Sequence, residues 1–196
     1  MIAIRKIIVY INILRFWPHL LCYFFSRERG HIKMDVIAYA DFYKVEGGCF
    51  YLLLHFLFFH KSFRTYFYYR IGDVSNLFTW IASEYDSFSI SKGTKLGTGI
   101  LFFHSYSTIV NATAVGNNCR ILHNVTIGEW KGKKPTIGNN VYIYPNAVIT
   151  GDVTVGDNSI IGPGAVVFKD VPKNCVIVGN PAYILKQDGI IVNKKI

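Results

Sequence analysis

The chain has 196 residues, 51% hydrophobic and 17% charged, with a formal net charge of +9. This composition excludes a disordered chain, and the length allows one sizeable core, or one domain plus a smaller helical piece. The positive balance points to an anionic partner; nucleic acid, anionic lipid and a phosphorylated cofactor are all compatible on charge alone. Four cysteines (Cys22, Cys49, Cys119 and Cys175) lie far apart without a CxxC pair, which reads as reduced thiols in a cytoplasmic protein.

The first segment, residues 7–25, is apolar but carries Asn12, Arg15, Pro18 and His19, a poor composition for a spanning helix. At about 100° per residue, Arg5, Asn12, Arg15, His19 and Ser26 share one face, opposite Ile4, Ile8, Ile11 and Leu14. Residues 1–26 therefore read as a basic amphipathic helix. It would lie on a membrane surface, at the inner face of the cytoplasmic membrane, or pack against its own protein or a neighbouring subunit. The rest of the region 1–84 is aromatic-rich and reads as helical, with breaks at Gly47-Gly48 and Gly72. His55 and His60 belong to this segment and read as core or surface residues.

From Ile90 onward the chain repeats. Large apolar residues recur at Ile90, Leu96, Phe102, Ile109, Val115, Ile121, Ile127, Ile137, Ile143, Ile149, Val155, Ile161 and Val167; the spacing is six, except for one step of seven and one of ten. Four residues after most of these stands a small or β-branched residue, such as Thr94, Thr113, Cys119, Ala147 or Ala165. A helix needs a period of 3.6. A period of six fits a short strand with one inward side chain, then a turn filled by Gly, Asn or Asp. Three such sides close a triangular coil, and the run supplies about four coils, enough for a stable solenoid. Residues 85–181 are expected to form a parallel β-helix and 182–196 a C-terminal tail.

The step of ten places an extruded loop at 129–135, Glu129-Trp130-Lys131-Gly132-Lys133-Lys134-Pro135, because a solenoid accepts insertions only as outward loops. Its lysines and tryptophan suit an anionic ligand with a ring; a solvated basic loop is the plain alternative. There is no GxxxxGK[ST], GxGxxG or metal-ligand cluster, so nucleotide hydrolysis, hydride transfer and metal catalysis have no support.

The hexapeptide run resembles the hexapeptide-repeat acyltransferases. More narrowly, "GILFFHSYSTIVNATAVGNNCRILHNVTIG" and "VVFKDVPKNCVIVGNPAYILK" are similar to the serine acetyltransferases, well over 85–187 and loosely over 35–84. The resemblance implies a left-handed β-helix, a homotrimer with sites between neighbouring prisms, acetyl-CoA as co-substrate and no metal. It places the catalytic histidine on His104, which would act as general base in direct transfer from thioester to hydroxyl; a structural role is the competing reading of a histidine in a β-solenoid. Ser89 stands where the family has an Asp that orients the histidine, Phe103 where it has a serine-binding Asp, and Lys133-Lys134 where it has an Arg-His pair. Glu84 or Asp86 is a candidate substitute partner for the imidazole. His123 falls where a positioning residue sits beside the cleft. Gly128, Trp130, Ala147 and Ala165 are expected along the acetyl-CoA groove, with Lys169 and Lys186 at its phosphates.

The expected function is an acetyl-CoA-dependent O-acetyltransferase. Its acceptor is either a sugar hydroxyl in surface-polysaccharide assembly, favoured by the replaced acidic residues, or L-serine in cysteine biosynthesis, favoured by the family pattern. A reading from another class is a non-catalytic β-helix scaffold, supported by Ser89. Nucleic-acid binding rests on net charge alone, without a recognition motif.

Overall fold

The computed structural model describes residues 2–83 and 87–196, so Glu84 and Asp86 lie outside the described residues. The chain forms two compact units, Met1–Tyr85 and Asp86–Ile196.

The first unit contains five α-helices, α1 (Ile2–Ile11), α2 (Ile13–Phe25), α3 (Arg29–Tyr43), α4 (Cys49–Phe59) and α5 (Lys61–Ile71), followed by a 3-10 turn at Gly72–Leu77. Helix α4 is apolar all round and buries every residue from Tyr51 to Leu57, the pattern of a central core helix. Tyr39, Phe56 and Phe63 pack edge to face against one another or tilted, with ring centroids 5.0–5.6 Å apart. Each fully buried aromatic contributes about 1.5–3 kcal/mol of apolar transfer. Inside this core Asp35 accepts hydrogen bonds from Tyr66 Oη at 2.9 Å and Arg70 Nε at 3.0 Å. The buried carboxylate and guanidinium are thus paired and hydrogen-bonded, the condition under which buried charge is tolerated.

The expected single amphipathic N-terminal helix is corrected. The chain bends by 66° between α1 and α2; Asn12 sits at the break, where its side-chain amide donates to Ile8 O at 2.8 Å. His19, placed on the polar face, is fully buried, whereas Leu14, on the apolar face, is 83% exposed. The buried face of α2 is Phe16, His19, Leu20 and Tyr23. The imidazole is accommodated there because its Nε2 lies 2.7 Å from the Tyr68 hydroxyl. His55 is also fully buried.

The second unit is the predicted parallel β-helix. Its first side stacks β1 (Phe88–Ile90), β4 (Thr108–Val110), β7 (Thr126–Gly128), β10 (Val148–Thr150) and β13 (Val166–Val167). The second stacks β2 (Lys95–Leu96), β5 (Ala114–Val115), β8 (Thr136–Ile137) and β11 (Thr154–Val155). The third stacks β3 (Leu101–Phe102), β6 (Arg120–Ile121), β9 (Tyr142–Ile143), β12 (Ile160–Ile161) and β14 (Cys175–Val178), and continues antiparallel through β15 (Tyr183–Gln187) and β16 (Ile190–Lys195). The tail at 182–196 thus extends the third side.

Strand register gives three aliphatic columns: Ile90-Val110-Ile127-Ile149-Val167, Leu96-Val115-Ile137-Val155 and Phe102-Ile121-Ile143-Ile161-Ile177. Two expectations change. Val110, not Ile109, points inward: Val110 is fully buried and Ile109 is 47% exposed. Likewise Ala112, at 1% exposure, takes the small inward corner assigned to Thr113. The cause is extra chain between Phe102 and Val110, which the shorter step to Val115 recovers in part. A fifth coil also follows the expected four, since Val171 bridges to Val155 and Ile177 pairs with Ile161; the short step from Val167 to Val171 hides it from a six-residue count.

One corner is built from glycine and Asx residues. A Cβ on Gly116 would lie 2.5 Å from Gly138 O of the next coil, so no side chain fits there. Beside it Asn117, Asn139 and Asp157 each accept a backbone N–H from the preceding coil, at 2.9, 2.9 and 2.6 Å, which satisfies amides that the turn leaves free.

Candidate active site

His104 lies at the corner between the third and first sides, on the segment joining β3 to β4. The coils below turn this corner with Asn124 (φ 54), Asn146 (φ 63) and Gly164 (φ 65). In the His104 coil, Ser107 (φ 52) takes that left-handed position, and His104 supplies a second one at φ 46. Asn124 N donates to Tyr106 O at 3.1 Å and Asn146 N to His123 O at 3.3 Å, so Tyr106 and His123 are equivalent corner residues and His104 belongs to the extra chain. A non-glycine residue in the left-handed region costs on the order of 1 kcal/mol. The strain is held by Tyr106 N donating to His104 O at 2.6 Å and by buried Ser105 beneath. The result is an exposed imidazole on a fixed backbone, open to an incoming hydroxyl.

Tyr106 was not singled out from the sequence. Its ring stacks on His123, with centroids 4.9 Å apart and planes at 21°. His123 Nδ1 is buried without a hydrogen-bond partner in the structure, so the imidazole is oriented by stacking. Phe103 is half-buried beside them. The seven-residue step was the available signal for this bulge; nothing in the sequence marks the stacking.

The outer face of the first side runs from this corner to the basic loop. Its outward column is Ser89-Ile109-Thr126-Val148-Val166, which places Ser89 on that face at its first strand. At the opposite edge Gly128 leads into the loop, where Trp130 and Lys133 form an antiparallel bridge with N···O distances of 2.9 and 3.1 Å. The Trp130 ring approaches Gly151, and Lys133 Nζ lies 3.5 Å from Asp152. Lys134 Nζ lies 4.0 Å from Glu129. The two groups of residues, His104 with Phe103 and His123, and Gly128 with Trp130, Lys133 and Lys134, thus flank one short strand, about 10 Å long at 3.3 Å per residue.

Ala147 and Ala165 are fully buried, so their side chains fill the inside of corners. Lys169 is exposed and borders a shallow hollow with Val166, Phe168, Ala182 and Ile196. Lys186 is exposed on β15, opposite Val176. Among the described residues no group of three or more His, Cys, Asp or Glu forms a metal site.

Residues 134–169 match the model of the bacterial transferase hexapeptide (six repeats). Over 108 residues the chain is 44% identical to mitochondrial serine acetyltransferase 3 of Arabidopsis thaliana, covering 53% of this chain and 28% of the relative. A serine acetyltransferase of Synechococcus elongatus is 32% identical over 129 residues, covering 63% of this chain and 53% of that protein. The chain therefore spans only part of the length of these curated relatives. The soybean serine acetyltransferase apoenzyme superposes with a TM-score of 0.64 at 30% identity, covering 80% of this chain and 68% of that structure. The chain belongs to the serine acetyltransferase-like hexapeptide-repeat family. Within a serine acetyltransferase-like frame, the exposed His104 and the basic loop lie on either side of one face of the prism, while Ser89 and Phe103 leave that face without the acidic groups of the family pattern.

Proposed function

We propose that the chain is an acetyl-CoA-dependent O-acetyltransferase acting on L-serine, with His104 as general base. The observation that carries the reading is the exposed imidazole fixed on a left-handed backbone at φ 46, in a chain whose relatives are serine acetyltransferases. His104 takes the acceptor hydroxyl proton as that oxygen attacks the thioester carbonyl. The new C–O bond forms, the C–S bond breaks, and the imidazolium returns its proton to the departing thiolate. Backbone N–H groups at the coil corners stabilise the oxyanion between these steps.

His123, held against Tyr106, positions the acceptor. Trp130, Lys133 and Lys134 cover the adenine and phosphate end of acetyl-CoA, and Lys169 and Lys186 add point charges suited to phosphate. The site is an open face on one chain, and a homotrimer closes it with a neighbouring prism. L-Serine is preferred over the sugar hydroxyl because every relative described above is a serine acetyltransferase, and none acts on a polysaccharide precursor by name. The sugar reading keeps one point in its favour: Phe103 presents a ring where the family pattern has a serine-binding Asp.

The test is thiol release from acetyl-CoA with L-serine and with a panel of sugars, for the wild type and His104→Ala. Release that requires L-serine and collapses in the variant supports the reading. Release with a sugar alone transfers the acceptor, and no release with any acceptor favours the scaffold.

A further inference from the structure

The helical unit carries an apolar surface that its own core does not use. On α2, Leu14 is 83%, Trp17 57%, Leu21 47% and Phe24 45% exposed. Their spacing of three, four and three residues places them on one stripe, on the side away from buried Phe16, His19 and Tyr23. On α1, Ile4, Ile7 and Ile11 repeat the arrangement at 64, 59 and 61% exposure. Exposed apolar stripes of this extent mark an interaction surface.

Charge selects the partner. From residue 2 to residue 27 the cations are Arg5, Lys6, Arg15 and Arg27, and there is no Asp or Glu. Arg15 is committed to Ile81 O, with donor distances of 2.9 and 2.6 Å, whereas Lys6 and Arg27 are exposed. The Arg29 guanidinium lies 5.1 Å from the centre of the half-exposed Phe24 ring, so a cation accompanies the apolar stripe at its end. A second copy of this surface meeting the first about a twofold axis would bring like charges together. An anionic bilayer neutralises them and takes up the apolar side chains.

We propose that α1 and α2 dock this protein on the surface of an anionic lipid bilayer, lying in the interface rather than crossing it. No single described helix is long and apolar enough to cross a membrane. The 10 residues of α1 and 13 of α2 span about 15 and 20 Å at 1.5 Å per residue, short of a hydrocarbon core about 30 Å thick. The 66° bend at the break between them keeps the two from forming one continuous straight helix. Arginine and lysine stems reach past the apolar stripe to the headgroups.

Co-sedimentation of the full chain with vesicles tests this, using phosphatidylglycerol–phosphatidylcholine against phosphatidylcholine alone. Binding is expected to the anionic vesicles and to weaken as salt is raised. The double variant Leu14→Glu/Trp17→Glu is expected to lose at least about tenfold in partitioning. Lys6→Glu/Arg27→Glu is expected to lose a comparable factor, since each cation near an anionic surface contributes about fivefold. Both variants keep the wild-type thermal transition by circular dichroism, because the altered side chains are exposed. The proposal is overturned by equal sedimentation with and without anionic lipid. It is also overturned if vesicle binding is absent and Leu14→Glu/Trp17→Glu lowers the particle mass by light scattering, which would assign the face to a second copy. Vesicle binding does not depend on acetyl transfer, so either result stands apart from the proposed reaction.

Discussion

His104 combines two properties that a purely architectural residue would not need together: a left-handed backbone (φ 46) and an exposed side chain. The corner residues below it that share this backbone are Asn124, Asn146 and Gly164, the types for which the conformation is least costly. His104→Ala is expected to lower acceptor-dependent thiol release by about 10²–10⁴-fold and to leave the thermal transition unchanged; steady-state kinetics and circular dichroism check both halves. The contrasting residue is Asp35, buried with Tyr66 and Arg70. Asp35→Ala removes the buried carboxylate beside Arg70, whose guanidinium keeps Glu28 at 3.5 Å, and is expected to cost about 3 kcal/mol, read from urea unfolding of the helical signal.

The elements differ in how they depend on their surroundings. Coil stacking leaves no room at Gly116, where an added Cβ would meet the Gly138 carbonyl at 2.5 Å. Gly116→Ala is expected to destabilise the β-helix by about 1–3 kcal/mol through overpacking, measured by thermal melting. The helices carry a pH dependence instead. Burial, with Arg64 and Arg15 nearby for His19, Arg5 and His60 for His55, and Arg5 and Arg64 for His60, lowers all three imidazoles from 6.5 to about 4. Between those values the unfolded chain binds more protons than the folded one, so stability falls as pH falls. The helical unit is expected to hold full stability above about pH 6.5 and to lose it progressively toward pH 4, followed by far-UV circular dichroism at successive pH values.

The β-helix was legible because a period of six has one physical solution, and the aliphatic columns follow from it. Ile109 was misplaced because a count of large residues does not distinguish it from its neighbour Val110 when extra chain is present. The last coil escaped for the same reason, since a four-residue step separates Val167 from Val171. The N-terminal helices were less legible: angular periodicity treats His19 as polar, and only the Tyr68 hydroxyl makes its burial acceptable. In the proposed site, the role given to His104 rests on the family phrase around it. Tyr106 was missed because ring stacking between successive coils depends on which residues share a corner.

At the scale of the whole molecule, the face that carries Ser89, Ile109 and Val148 lies between the histidine corner and the basic loop and is covered by neither. In the proposed homotrimer a neighbouring prism supplies the missing wall, so light scattering of the purified protein is expected to give a particle of three chains, with Leu14→Glu/Trp17→Glu leaving that number unchanged. The role of His104 is tested most directly by acetyl-CoA thiol release with L-serine, comparing wild type with His104→Ala. Serine-dependent release is expected in the wild type and near-complete loss in the variant. Serine-dependent release that persists in His104→Ala would contradict that role.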